Sequence, residues 1–164
     1  MKRTVLFVLF VLAALNVAAQ DADLKKEALL VRALHAMGFV SSFKQGLLSE
    51  KQSTGKATNF MDATLAADDA RLEAVIARVY ARHLTRRQAE ELARFYESAA
   101  GKAMVAQQAR DLSNPRPRMT LEPAQAKQVR AFISSPTGKA FAGISDSEDI
   151  WVEVVEAIRK ALPK

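Results

Sequence analysis

One stretch of the chain occurs twice, and this repetition restricts the fold more than any other feature of the sequence. The first unit, residues 84–108, is LTRRQAEELARFYESAAGKAMVAQQ. The second unit, residues 121–145, is LEPAQAKQVRAFISSPTGKAFAGIS. The two align without a gap at a shift of 37 positions and share eight of 25 residues. This match predicts an internal repeat of one structural element.

Each unit has the pattern of a helix, a tight corner and a second helix. Thr85 is a suitable N-cap, and Gln88 stands three positions later, as in a capping box. Ser98 can end the first helix and cap the next through its hydroxyl. In the second unit Ser135 takes that place, and Pro136 follows at the first helical position, where a proline loses no useful donor. We therefore predict a sharp bend at each serine.

Both units also carry a glycine and a lysine just after the corner. A glycine inside a helix costs about 1 kcal/mol relative to alanine. We expect the compensation to be the close approach of a neighbouring helix at Gly101 and Gly138, with Phe95 and Phe132 as packing partners. The residues that define this motif are Phe95, Tyr96, Ser98, Gly101, Lys102, Phe132, Ser135, Gly138 and Lys139.

The run RFYESAAGKAM, preceded by a helix that opens at Leu84 and Thr85, resembles a family of small exported bacterial proteins, domain of unknown function 2059. Members share an aromatic pair, then a serine, then a glycine followed by lysine or glutamine. The resemblance covers about residues 84–112. Where a proline often follows the serine, the first unit has Ala99, whereas the second unit has Pro136. The resemblance implies an all-helical fold and export across the inner membrane, and it brings no catalytic residues.

The first 19 residues have the pattern of a secretory signal peptide. Lys2 and Arg3 precede an apolar run at 5–15, and the small residues at 17–19 fit a cleavage site. The run is shorter than the roughly 20 residues of a transmembrane helix, although an uncleaved membrane anchor is the alternative. We predict removal of residues 1–19, no transmembrane segment thereafter, and a periplasmic or secreted domain at residues 20–164.

Composition favours one helical domain. Loss of Lys2 and Arg3, with no acidic residue, lowers the formal net charge from +6 to +4. About 145 residues suffice for one domain with its own core. The chain has no cysteine, so that core must stabilise it without disulfides. Helix-favouring residue types dominate, and we predict an all-α fold: a compact multi-helix bundle with two related helix-corner-helix units.

The other helices are predicted from apolar residues spaced three and four apart. They cover about residues 21–37, 39–50, 59–66, 69–83 and 147–162. The buried side of the first is expected to hold Leu24, Leu30, Val31 and Leu34. The polar residues 49–56 are predicted to be a loop, and the two prolines in 114–118 a break between the units. Phe141 and Trp151 are expected in the core, with an interaction anchor as the alternative.

Candidate chemistry is sparse. The Gly-Lys pairs do not form a phosphate loop, because alanine follows each lysine and a helix precedes. A weaker alternative is an anion held at a corner by the serine, free N–H groups and the lysine, as opposed to a packed corner with a solvated lysine. His35 and His83 are isolated and have no cysteine to join them at a metal. We predict no catalytic residue, no metal and no cofactor.

Arginines form the one cluster with a functional interpretation. Arg78, Arg82 and Arg86 step by four, and Arg87 is adjacent. These four could face an anionic partner, whereas the alternative is a solvated face balanced by nearby glutamates. Export argues against nucleic acid and favours an acidic protein, an anionic lipid or a glycan.

The leading functional hypothesis is a non-enzymatic interaction or scaffolding module of the cell envelope. The alternative is a binder of anionic envelope lipid or glycan through the arginine-rich face. A third hypothesis is an enzyme that uses a pair of carboxylates. The sequence leaves the activity, the partner and the oligomeric state open.

Overall fold

A computed structural model describes residues 21–113 and 121–162 of the chain. Within these residues the backbone forms nine α-helices and no strand, which confirms the all-α bundle. They are α1 (21–36), α2 (Phe39–Thr54), α3 (Asn59–Ala66), α4 (Asp69–Tyr80), α5 (Arg86–Glu97), α6 (Ala99–Ser113), α7 (Pro123–Ser134), α8 (Pro136–Ser145) and α9 (Glu148–Ala161). The predicted signal peptide and the break at 114–118 lie outside the described residues.

Side-chain caps begin several of these helices. The Thr58 hydroxyl accepts from the Met61 N–H at the start of α3, and Asp68 caps α4 in the same way. At α5 the predicted capping box is confirmed, since Thr85 and Gln88 satisfy each other's backbone N–H groups. A cap of this kind satisfies an N–H group that has no partner within the helix.

α2 is longer than the sequence indicated. Residues 49–54 are helical, so the loop predicted at 49–56 was wrong over most of its length. The helix ends at Gly55, which has a φ of 65° and donates its N–H to the Lys51 carbonyl at 3.1 Å. The Lys51 ammonium lies 2.7 Å from Asp62 of α3. This last part of α2 is mostly exposed, so it lacks the apolar periodicity that marks a packed helix.

α1 enters the core later than predicted. Leu30 and Leu34 are buried as expected, and Val31 packs partly against the core. Leu24 is 59% exposed, so its predicted burial was wrong. Residues 23, 26 and 27 at this end of α1 line an open groove, and Leu24 is not among them.

Aromatic rings connect α2, α4, α5, α8 and α9 through the core. Neighbouring ring centroids lie between 5.9 and 6.2 Å apart in the series Phe43, Trp151, Phe39, Tyr80, Phe141 and Tyr96. The Trp151 indole also donates its N–H to the Ser145 carbonyl at 2.8 Å. The expected core positions of Phe141 and Trp151 are thus confirmed.

α1 and α9 both contact α4 and run antiparallel to it. In each case the residue number on one helix rises as the number on the other falls. The contacts that show this are Glu27–Arg78 and His35–Glu73 for α1, and Glu153–Arg82 and Ala161–Arg71 for α9. The three helices therefore run side by side, with α4 common to both contacts.

Candidate functional site

A groove of about 690 Å³ lies between α1, α4 and α9, and we name it the basic groove. Its apolar floor consists of Val75, Val79, Ala81, Ala157 and Ala161. Its charged rim consists of Asp23, Lys26, Glu27, Arg78, Arg82 and Lys160. The volume falls within the range of roughly 300–1,000 Å³ that is typical of ligand sites.

Helical periodicity explains how each helix contributes to the groove. Residues 75, 78 and 79 are three or four positions apart, so they lie along one side at the end of α4, and residues 81 and 82 follow in the turn after it. The same spacing joins residues 23, 26 and 27 on α1, and residues 157, 160 and 161 on α9. Because both outer helices run antiparallel to α4, these three sides form a trough rather than a round pocket.

The rim of the basic groove is rich in ion pairs, and most of its side chains are exposed, although that of Lys26 is only 19% exposed. The lining residues include four cations and two carboxylates, and the carboxylates of Glu153 and Glu156, which pair with two of the cations, make the positive and negative charges equal in number. Each cation has one carboxylate neighbour: Lys26–Asp23 at 3.2 Å, Arg78–Glu27 at 3.6 Å, Arg82–Glu153 at 3.1 Å and Lys160–Glu156 at 3.9 Å. Exposed ion pairs are worth about 0–1 kcal/mol. The cations can therefore bind a further anionic group at little cost.

The structure separates the four arginines that the sequence grouped together. Arg78 and Arg82 line the basic groove. Arg86 and Arg87 belong to α5, and each forms a salt bridge at 3.0 Å with the glutamate four positions later. The four-residue spacing is interrupted because α4 ends at Tyr80, before α5 begins.

Sequence reasoning missed the remaining parts of the groove. Lys26 and Lys160 stand near opposite ends of the chain, and only the tertiary packing of α1 and α9 brings them to the same rim. The floor was also missed, since alanines such as Ala157 and Ala161 fit any helix. The spacing of Ala157, Lys160 and Ala161 indicates that these residues share one side of a helix. It does not indicate which other helices lie beside that side.

The two predicted corners have the same hydrogen bonds. The Ser98 hydroxyl donates to the Phe95 carbonyl at 2.6 Å and accepts from the Gly101 N–H at 3.1 Å. The corresponding distances at Ser135 are 2.7 and 3.0 Å. Lys102 is exposed, as is its counterpart in the second unit. Each serine hydroxyl is therefore engaged within its corner instead of facing a ligand.

The glycines at the corners are required by backbone contact. A Cβ on Gly101 would overlap the Phe95 carbonyl oxygen and lie 2.7 Å from the Tyr96 Cα. A Cβ on Gly138 would lie 3.0 Å from the Ile133 Cα. The expected close approach is present, but it involves the last turn of the preceding helix and not the phenylalanine rings.

The two phenylalanines at equivalent positions stack on each other. The rings of Phe95 and Phe132 are nearly parallel, with centroids 3.7 Å apart. Tyr96 makes an edge contact with both of them. Nearby, the buried Thr137 donates its hydroxyl to Glu91, which joins α8 to α5. These contacts give the motif residues a structural role in packing the two units.

The remaining titratable groups do not converge on a site. His35 lies 3.1 Å from Glu73, and His83 lies 3.4 Å from Glu153. Among the described residues, no group of three or more His, Asp or Glu side chains could hold a metal ion. Burial raises the pKa of Tyr80 to about 12, and burial does the same for Tyr96. Neither tyrosine lines the basic groove.

A second groove, of about 680 Å³, lies between the α1–α2 corner and α6. Its lining consists of Met37, Gly38, Ser41, Ser42, Gln45, Val105, Gln108 and Ala109. These side chains offer hydroxyl and amide groups but no charge. The second groove therefore lacks the charge complementarity with a partner that the basic groove offers.

Comparison with known proteins gives one match. Residues 70–110 match the model of a family described as an uncharacterized protein conserved in bacteria (DUF2059), the family that the corner motif resembles. The match includes Arg78 and Arg82 but not the residues of α1 and α9 that complete the groove. No curated protein and no solved structure matches the chain. No helix within residues 21–113 and 121–162 combines the length and hydropathy needed to span a membrane.

Proposed function

We propose that this chain is an exported, non-enzymatic interaction module of the cell envelope and that its basic groove binds an acidic surface of a partner protein. The observation that carries the proposal is the combination of an apolar floor with four rim cations whose salt bridges are mostly exposed and can be exchanged. A partner that places an apolar side chain on the floor and carboxylates at the rim matches both the apolar floor and the rim cations. Charge complementarity of this kind steers association and selects the partner.

The shape of the groove favours a protein partner over the anionic lipid or glycan alternative. Binding to a membrane surface depends on basic residues spread over one exposed face. Arg86 and Arg87 would have extended such a face, but they lie on α5 and do not line the groove. The cations that remain surround a trough, so the partner must have a ridge that enters it.

The charged groups of the basic groove support binding more than catalysis. A catalytic cleft often contains groups whose pKa values are strongly perturbed by burial and by a specific charge. Within residues 21–113 and 121–162, the large pKa increases belong to Tyr80 and Tyr96, which are core residues. The rim cations Arg78, Arg82 and Lys160 are exposed and form salt bridges, which suits reversible association.

Photo-crosslinking tests this proposal in cells that express the full chain. A benzophenone amino acid replaces Ala157 in the groove or, as the control, Ile133, which is 55% exposed on α7. We expect a defined protein adduct from position 157 only. The change of Arg78 and Arg82 together to glutamate should abolish the adduct. Both side chains are exposed, at 71% and 61%, so this variant should still fold.

Two results would refute the proposed function. One is the absence of any adduct from position 157, or the same adducts from position 157 and the control. The other is an adduct with lipid or glycan alone, which would favour the alternative function.

A further inference from the structure

We propose that protonation of His83 makes the basic groove more receptive to its acidic partner, because the protonated ring binds the carboxylate that otherwise holds Arg82. This inference rests on the proposed function, since it names the regulation of the same groove. It is carried by one oxygen of Glu153, which lies within hydrogen-bond distance of both side chains.

The charges of the basic groove are balanced as long as His83 is neutral. The four rim cations are paired with four carboxylates, those of Asp23, Glu27, Glu153 and Glu156. An acidic partner must therefore displace a carboxylate of this chain from the cation that it approaches. One added positive charge beside these pairs gives the groove a surplus of positive charge. Histidine is the side chain that ordinarily changes its charge between pH 5 and 8.

Arg82 and His83 compete for the same oxygen atom. The Arg82 guanidinium lies 3.1 Å from Oε2 of Glu153, and Nε2 of His83 lies 3.4 Å from that oxygen. The two side chains come from the turn after α4, whereas Glu153 belongs to α9. A neutral imidazole has an N–H on one ring nitrogen, and the protonated ring has an N–H on both. Protonated His83 therefore donates to Glu153 with a full positive charge and weakens its hold on Arg82.

Water reaches all three side chains of this cluster. The side chain of His83 is 30% exposed, that of Glu153 41% and that of Arg82 61%. The ring can therefore exchange protons with solvent, and the guanidinium can turn to a carboxylate of the partner. Solvent also screens the added charge, so we expect partner affinity to rise only about two- to fivefold.

The neighbouring charged groups have partners of their own. Arg86, three positions after His83, pairs with Glu90 at 3.0 Å. On α9, Glu156 pairs with Lys160 at 3.9 Å. Among the described residues, no second carboxylate lies within ion-pair distance of the His83 ring. The added charge therefore acts on the carboxylate that the ring shares with Arg82.

His35, the other histidine of the chain, is a matched control. Its Nδ1 lies 3.1 Å from Glu73 of α4, so it also forms a contact with a glutamate between two elements. No rim cation pairs with Glu73 in the described parts of the chain. His35→Gln therefore removes a contact of the same kind and leaves the carboxylate of Arg82 unchanged.

Photo-crosslinking from position 157 at two pH values tests this inference. Envelope preparations from cells that express the full chain are irradiated at about pH 5.5 and about pH 7.5, between which a histidine ordinarily changes its charge. We expect about two to five times more adduct at the lower pH. This difference should shrink in His83→Gln and persist in His35→Gln. Glu153→Gln, which removes the shared charge, should raise the adduct at the higher pH.

A nitrogen-15 NMR titration of the purified chain tests the competition without a partner. The Arg82 side-chain N–H signal should shift with the same midpoint as the signals of the His83 ring. The shift should be absent in His83→Gln and present in His35→Gln.

The outcomes separate this inference from the proposed function. An Arg82 signal that does not follow His83 would overturn the inference. So would an adduct whose pH dependence is unchanged in His83→Gln, because the titrating group must then lie elsewhere. In either case a protein adduct from position 157 leaves the proposed function in place. If no adduct forms at either pH, both proposals fail.

Discussion

Alanine in place of a corner glycine is predicted to destabilise the protein, whereas alanine in place of another helical glycine is predicted to stabilise it. In Gly101→Ala the new Cβ would overlap the Phe95 carbonyl oxygen and lie 2.7 Å from the Tyr96 Cα. Those atoms cannot retreat freely, because the same carbonyl accepts hydrogen bonds from the backbone N–H and the hydroxyl of Ser98. Gly138→Ala meets the equivalent backbone in the second unit.

The expected change in the free energy of unfolding for Gly101→Ala follows from two opposing effects. Forcing an extra methyl group into a packed site costs about 1–3 kcal/mol. Alanine in place of glycine returns about 1 kcal/mol through helix propensity. Since the clash is with hydrogen-bonded backbone, we expect the upper end of the steric cost and a net loss of about 2 kcal/mol in the free energy of unfolding. For a chain of this size that is a drop in Tm of about 4–8 °C.

The assay is thermal and urea unfolding followed by far-ultraviolet circular dichroism. Gly46→Ala in α2 and Gly143→Ala in α8 are matched controls, because a Cβ at either position meets no atom within 4 Å. Each control should raise stability by about 0.5–1 kcal/mol. If Gly101→Ala melts at or above the wild-type temperature, the steric account of the corner is wrong.

Three further predictions test single features. Thr85→Ala removes half of the capping box of α5 and should cost about 1 kcal/mol by urea unfolding. Hydrogen bonds from Thr137 and Arg87 hold the pKa of Glu91 below its ordinary value of 4.5. Their contribution to stability is full above pH 4.5 and falls as pH drops through the folded-state pKa, so the deficit of Thr137→Val in urea unfolding should shrink in acid. Mass spectrometry of the chain recovered from outside the inner membrane should find an N-terminus near Gln20; an intact residue 1 would contradict signal cleavage.

The local features of the fold could be predicted from the sequence, because short-range chemistry decides them. The capping hydroxyls of Ser98 and Ser135, together with Pro136, were enough to predict that a new helix begins after each serine. The predicted end of α2 was wrong, because residues 49–54 are exposed and an exposed helix end carries no apolar pattern. Gly55 was the available signal for its true C-terminus.

The candidate site was harder to predict, because it depends on how distant helices pack. The spacing of Arg78 and Arg82 identified one wall of the basic groove. Arg86 and Arg87 of the predicted face lie on α5, outside the groove, because a turn separates α4 from α5. Lys26 and Lys160 join the same rim through the antiparallel contacts of α1 and α9 with α4, and no local pattern encodes those contacts.

The position of Trp151 gives the protein a built-in optical probe. It is the only tryptophan in the chain, its ring stacks on Phe39 of α2, and its N–H is bonded to the carbonyl of Ser145 at the end of α8. Indole emission depends on the polarity around the ring, so its wavelength reports whether α9 is docked against these two helices. Fluorescence can therefore follow the departure of α9 separately from the loss of helix elsewhere, without any label.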